Sequence, residues 1–306
     1  MPGLDSEAID FRATSESFAH VRALKRADLV TLRLTAQHQG REVPTVGGML
    51  LFGRDKERYF PDAWIQAGRF HGNDRRRILD TKEIRAHLVP IVEHAVQFIQ
   101  RHTSREAIIE GVRRADRWTF PLTAVREAVV NAVVHADYSQ RGAPIRISVF
   151  DDRLEVESPG LLPFGLTVAD IRKGVSKLRN RVIGRVFREL GLIEQWGSGI
   201  QRMIGACEKA GLEPPHLEEV GTHFRVTLFT VRRRSPVLGE LEQRIIEALQ
   251  KEGGLRTREL SLAIRRTERA TRSRLIALVE RGLVVEIGTG PTDPQRRYFL
   301  AGQEGS

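Results

Sequence analysis

The stretch "REAVVNAVVHADYS", residues 126–139, constrains this chain more than any other. Glu127, Asn131 and His135 recur at i and i+4, so on an α-helix they form one stripe, while Val125, Ala128, Val129, Ala132 and Val133 take the other side. Pro121 falls near the first helical turn, where a missing N–H costs least. A helix this apolar belongs in a core. A carboxylate, an amide and an imidazole along it form either a solvated face or one wall of a site, and Glu-x-x-x-Asn alone does not decide between them.

Three glycine-bearing stretches downstream bear on that choice: "ESPGLLPFG" (157–165), "WGSGIQRM" (196–203) and "GTHFRV" (221–226), each at a strand or helix boundary. Glycine permits tight turns and close backbone approach, and Gly197-Ser198-Gly199 at a helix start offers free N–H groups and a favourable dipole to phosphate. Turns and caps would account for any one of the three. They account less well for the ordered set.

With these residues in view, the chain resembles the ATP-binding fold shared by gyrase, Hsp90, histidine kinases and MutL. "FPLTAVREAVVNAVVHADYSQRG", "SPGLLPFGL", "IEQWGSGIQRMI" and "GTHFRVTL" resemble more closely the variant found in bacterial and archaeal transcriptional regulators often labelled RecG-related helicases. The resemblance reaches back through "PTVGGMLLFGRDKERYFPDAWIQAGRF" and spans residues 40 to 230, roughly. It implies ATP or a related nucleotide with Mg²⁺ as cofactor. Glu127 would be the water-orienting general base and Asn131 the Mg²⁺ ligand that bridges to the phosphates. Ser158 and Gly160 would form the first box beneath the adenine, Gly197, Ser198 and Gly199 the phosphate cradle, and Gly221-Thr222 the last box. The first box departs from the family's Asp-x-Gly. Here it is Ser158-Pro159-Gly160, and a neutral hydroxyl is a weaker partner for the adenine amino group than a carboxylate. Relatives commonly begin with a Schlafen-type AlbA-like domain, and this chain is expected to start near that domain's end. A helicase motor needs Gly-x-x-x-x-Gly-Lys-Ser/Thr, and no such stretch is present.

The rest of the chain divides into three regions: a small α/β region over 1–115, an ATP-binding-like α+β sandwich over 116–231, and a winged helix-turn-helix over 236–302. Residues 1–40 are an irregular or helical lead-in, with "SESFAHVRALKRADL" (15–29) weakly helical. "VGGMLLFG" (46–53) and "AWIQAGRF" (63–70) are expected as strands, and 82–103 as one long helix with Pro90 in its first turn or bending it. "APIRISVF" and "RLEVES" alternate as strands around a turn at Asp151-Asp152. Residues 161–196 match the mobile lid of the resembled ATP-binding fold, and Arg172, Lys173, Lys177 and Arg179 there either reach phosphates or face solvent. "RVIGRVFRELG" and "GIQRMIGACEKAG" are helices closed by Gly, and "THFRVTLFT" is a strand with Phe224, Val226 and Leu228 on one face. His135 and Asp137 could form a relay or metal pair, but capping or packing is preferred, and Tyr138 is expected in the core.

Arg232-Arg233-Arg234-Ser235-Pro236 reads as a linker. Beyond it, three short helices and two strands around a Gly/Pro loop give the winged-helix pattern. Thr267 is the expected N-cap of the third helix, with Leu275, Leu278 and Val279 inward. Arg266, Arg269, Arg272 and Ser273 are left outward, as major-groove recognition requires, and Gln295-Arg296-Arg297 on the wing would meet phosphate or the minor groove. The alternative use of this module is protein contact. Of the chain's net charge of +10, +6 falls within residues 232–300. A localised positive charge suits a polyanionic partner.

The lone Cys207 excludes an internal disulfide and multi-cysteine metal sites, and no apolar run approaches the roughly 20 residues needed to span a bilayer. With no basic-then-apolar leader at Met1, a cytoplasmic location is expected. These readings converge on a transcriptional regulator that binds double-stranded DNA, forms a homodimer and senses a nucleotide through a degenerate pocket. Two alternatives stay open: a Mg²⁺-dependent ATPase with DNA binding secondary, and a DNA-binding scaffold with a vestigial pocket.

Overall fold

The computed structural model describes residues 1–103, 105–110, 113–194, 197–230, 239–280, 283–288 and 296–301. The chain forms two compact units, Met1–Arg233 and Arg234–Ser306. The expected linker 232–236, Trp196 and Gln295 lie outside the described residues.

The first unit opens with helices α1 (Phe11–Phe18) and α2 (Asp28–Thr31), an antiparallel hairpin of β1 (Thr35–His38) and β2 (Arg41–Pro44), and helices α3 (Val46–Phe52) and α4 (Lys56–Tyr59). Strands β3 (Ile65–Phe70) and β4 (Ile78–Ile84) precede helix α5 (Leu88–Arg101). The hairpin β5 (Arg105–Glu110) and β6 (Arg113–Trp118) leads into α6 (Leu122–His135), followed by β7 (Ile145–Val149) and β8 (Arg153–Pro159). Helices α7 (Val168–Arg172), α8 (Arg181–Glu189) and α9 (Gly199–Lys209) and strands β9 (His216–Val220) and β10 (His223–Phe229) complete it.

Six strands form one mixed sheet in the order β4-β3-β7-β8-β10-β9, in which β3 and β7 run parallel and the other pairs antiparallel. Alternation along these strands sends Ile65 and Ala67, Ile145 and Ile147, Leu154 and Val156, and Val226 and Leu228 into the core. There they meet α5 and α6, whose Ile91, Ala95, Val125, Ala128 and Val129 are buried. Each fully buried aliphatic side chain contributes ~1.5–3 kcal/mol, so this layer supplies much of the unit's cohesion. The opposite face of β8 carries Glu155 and Glu157, which Arg75 bridges at 3.0 and 2.8 Å. Because β3 and β4 pair into the same sheet as β7 and β8, the residues on either side of position 115 share one body.

Two sequence expectations need correction. Residues 46–52 are the helix α3, not a strand: Thr45 caps it by accepting from the Gly48 N–H at 2.9 Å, and Met49 to Phe52 are all buried. A short apolar run has no decisive period, and Gly48 marks contact with the Leu34 carbonyl rather than a strand end. Residues 82–103 are not one helix. Lys82 to Ile84 end β4, His87 is extended, and α5 starts at Leu88. Pro90 then sits in the first turn of α5, as expected, where its missing N–H is harmless. The turn at Asp151-Asp152 is also as expected, with the Phe150 N–H donating to the Arg153 carbonyl at 2.9 Å.

The second unit contains α10 (Glu240–Glu252), α11 (Thr257–Ala263) and α12 (Glu268–Glu280), then β11 (Val284–Ile287) paired antiparallel with β12 (Arg297–Leu300). Its own core gathers Ile245, Leu249, Leu260, Ile264, Leu275, Leu278, Val284 and Tyr298. No helix among the described residues is long and apolar enough to cross a membrane.

Candidate functional site

Helix α6 packs against β8 on one side and α9 on another, and its polar stripe lies where α9 and the end of β8 meet. A cavity of about 140 Å³ opens there. Glu127, Asn131 and His135 line it, together with Ser158 and Gly160 from β8 and Gly197, Ser198 and Gly199 from the entry to α9. The structure therefore brings seven of the expected pocket residues to one place, with His135 beside them. It separates the last box: Gly221 and Thr222 form the two-residue connection between β9 and β10 and do not line the cavity. Thr222 touches the site only through its carbonyl, which accepts from the Gly160 N–H at 2.8 Å.

Two glycines are there because a side chain would not fit. Gly160 has φ +102°, and a Cβ on it would sit 2.8 Å from the Cβ of Asp137. A Cβ on Gly199 would sit 2.5 Å from Glu127 Oε2 and 3.5 Å from Asn131 Nδ2, so Gly199 lets α9 lie directly against the stripe.

The electrostatics divide the stripe by role. Glu127 is buried, and its Oε1 accepts from the Arg202 guanidinium at 2.6 Å. Burial outweighs that cation and holds the Glu127 pKa above the usual carboxylate value. Burial, reinforced by Arg179, pushes His135 down to about 4, so it lines the cavity as a neutral imidazole at pH 7. Asp137 is engaged locally. Burial opposes its ionisation, but hydrogen bonds from Ser139 and Gln140 keep its pKa below the usual value. Tyr138 packs against the core and donates to the Val133 carbonyl at 2.8 Å. These two residues serve the turn after α6.

Ser158 is buried at the cavity floor, where the resembled family carries a carboxylate. The neighbouring Glu157 cannot substitute. Strand alternation points it to the other face, where Arg75 at 2.8 Å and Arg225 at 2.9 Å hold it. Of the expected lid cations, Arg179 and Lys177 line the cavity, whereas Arg172 donates to the Pro215 carbonyl at 3.0 Å and Lys173 is exposed.

Three buried donors on the cavity wall have no partner among the described residues: Asn131 Nδ2, Arg179 Nε and Arg202 Nε. A buried donor left unpaired costs ~1–3 kcal/mol, which an acceptor entering the cavity would recover. Arg202 is the cavity residue that the sequence reading missed. Beside it, Ser198 Oγ donates to Glu194 at 2.7 Å, and Arg202 also pairs with Glu194. No cluster of three or more His, Cys, Asp or Glu side chains suited to a metal occurs among the described residues.

In the second unit, Thr267 Oγ1 accepts from the Ala270 N–H at 3.3 Å as the expected cap, and Leu275 and Leu278 are fully buried. Arg266, Arg269, Arg272 and Ser273 are all exposed. On the hairpin, Arg296 pairs with Glu286 at 2.8 Å, and Arg297 donates to the Gly254 carbonyl at 3.0 Å. Both hairpin arginines are thus tied to their own unit.

Residues 142–228 match the family described as "Putative ATP-dependent DNA helicase recG C-terminal". The match begins after α6, so Glu127 and Asn131 join the site through geometry alone. Among curated proteins none matches the chain. The fold is similar to that of the DIP2311 protein from Corynebacterium diphtheriae, with a TM-score of 0.65 at 20% identity over 97% of this chain. The chain spans 62% of the length of that protein's chain. Together these findings give a mixed α/β fold of ATPase-like type, with the matched segment supplying the floor and one wall of the cavity.

Proposed function

We propose that the first unit binds a nucleotide or nucleotide-like anion in the α6–α9 cavity, and that the second unit is a winged helix that binds duplex DNA, which makes the protein a ligand-responsive DNA-binding regulator. The observation that carries the pocket reading is the convergence of three unpartnered buried donors on one cavity, beside the Ser198-Gly199 start of an 11-residue helix. The free N–H groups of such a helix start add to the preference for an anion. Asn131 would hold Mg²⁺, which takes oxygen ligands; turning its amide over presents Oδ1 in place of Nδ2. The ion, when bound, would neutralise phosphate charge.

Sensing is favoured over turnover because Glu127, the candidate base, is committed to Arg202. The buried Ser158 in place of a carboxylate favours loose base selectivity. For the second unit, the exposed Arg269, Arg272 and Ser273 stand on α12, whose inward face is buried. The word ATP in the matched family's description agrees with the pocket half of this reading, since the match lies within the first unit. Thermal unfolding of the full chain with ATP, ADP, GTP and cyclic nucleotides, with and without Mg²⁺, tests the pocket, since a ligand specific to the native state raises stability by RT ln(1 + [L]/Kd). A nucleotide-dependent rise is expected. No rise with any of them at millimolar concentration would leave the vestigial-pocket reading.

A further inference from the structure

Within the nucleotide-binding reading, on which this inference rests, we propose that Arg202 is the cation that recognises the ligand's phosphate chain, and that Glu127 and Glu194 hold its place as internal anions until that ligand arrives. Arg202 lines the cavity and faces two carboxylates, the buried Glu127 and the exposed Glu194. Its Nε, also buried, has no acceptor among the described residues. Two carboxylates leave the fork incompletely used, whereas a phosphate can take two parallel N–H bonds from one guanidinium. Glu194 also accepts from the Ser198 hydroxyl, so one exposed carboxylate occupies a donor of the expected phosphate cradle together with the Arg202 guanidinium. An exposed ion pair is weak and salt-screened, which makes Glu194 readily displaced.

The competition predicts an unusual sign: removing a carboxylate from the site should tighten binding of an anion. Calorimetry on the full chain at low salt would compare Mg²⁺-ATP and inorganic tripolyphosphate, using wild type, Glu194→Gln, Glu127→Gln, Arg202→Met and the pair Glu194→Gln with Arg202→Met. Glu194→Gln should bind roughly threefold to fivefold tighter than wild type, the span that a weak, partly exposed ion pair allows. Glu127→Gln, which removes the buried partner, should tighten binding at least as much. Arg202→Met should lose about tenfold or more, and adding Glu194→Gln to it should restore nothing, because the competitor acts through Arg202. Arg202→Lys should recover part of the loss, and a melting curve for each variant verifies folding. Tightening with both probes assigns the recognition to the phosphate chain alone; tightening with ATP only assigns it to the nucleotide. If wild type binds and the carboxamide variants bind equally or more weakly, the inference is overturned while the nucleotide reading stands. If no protein binds either probe, both fall.

Discussion

His135 shows how burial turns a titratable residue into a neutral wall. In the unfolded chain its imidazole takes up a proton near 6.5, but in the fold only near 4, because burial and Arg179 oppose the charge. The unfolded state therefore binds more protons between those values, and stability falls as pH drops from about 6.5 to about 4. A His135→Gln variant lacks this dependence. The wild-type melting temperature should fall relative to the variant's across that window and run parallel to it above pH 7. A constant difference at all pH values would contradict the assignment. Asn131 poses the complementary case. Its Nδ2 is buried without a partner among the described residues, so Asn131→Ala should leave the melting temperature of the ligand-free protein unchanged or slightly raised. The same change removes the candidate Mg²⁺ ligand and should weaken Mg²⁺-nucleotide binding by about tenfold or more. A variant that melts lower and binds equally well would make Asn131 a structural residue.

At the scale of elements, the α6–α9 contact is the joint on which the site depends. Gly199 lies so close to Glu127 that an added methyl group would shift the carboxylate and disturb its pairing with Arg202. Gly199→Ala should destabilise the unit by ~1–3 kcal/mol in urea titrations, as overpacking does, and Glu127→Ala should relieve much of that cost in the double variant. Strict additivity would show that the two residues do not meet. The helix α6 and the hairpin β7–β8 were legible in the sequence because their periods are long and regular. The cavity residues from Glu127 to Gly199 were legible because glycines and polar groups punctuate apolar elements. The misreadings share a cause in tertiary packing. Residues 46–52 carry four consecutive large apolar side chains with no period, and the Thr45 cap was too small a signal to mark a helix. β9 offers only Leu217 to the core and went unnoticed. Arg202 looked like any surface arginine on an amphipathic helix. Its partner Glu127 is 75 residues away in sequence, beyond the reach of any local pattern.

For the whole molecule, two units with separate cores divide the work by charge. The first carries the cavity, while the region from 232 to 300 carries +6 of the net +10. If α12 enters a major groove, Arg269 and Arg272 reach base edges from its first turns, with the buried Leu275 and Leu278 holding it from behind. Each phosphate neutralised releases condensed counterion, so the full chain should bind duplex DNA with an affinity that drops steeply as salt rises. Arg269→Ala or Arg272→Ala should cost ~1–3 kcal/mol on an enriched site and relax preference there, if the residue grips a guanine edge. The hairpin arginines should behave otherwise. Arg296 and Arg297 spend their hydrogen bonds on Glu286 and the Gly254 carbonyl, so replacing either should change DNA affinity less than replacing an α12 arginine, and equally on all sequences. Gel-shift titrations of wild type and the four variants, at two salt concentrations on random and enriched duplexes, separate these outcomes. Absence of binding at low salt would make the second unit a protein-contact module, and an Arg297→Ala loss larger than that of Arg269→Ala would place the DNA on the hairpin rather than on α12.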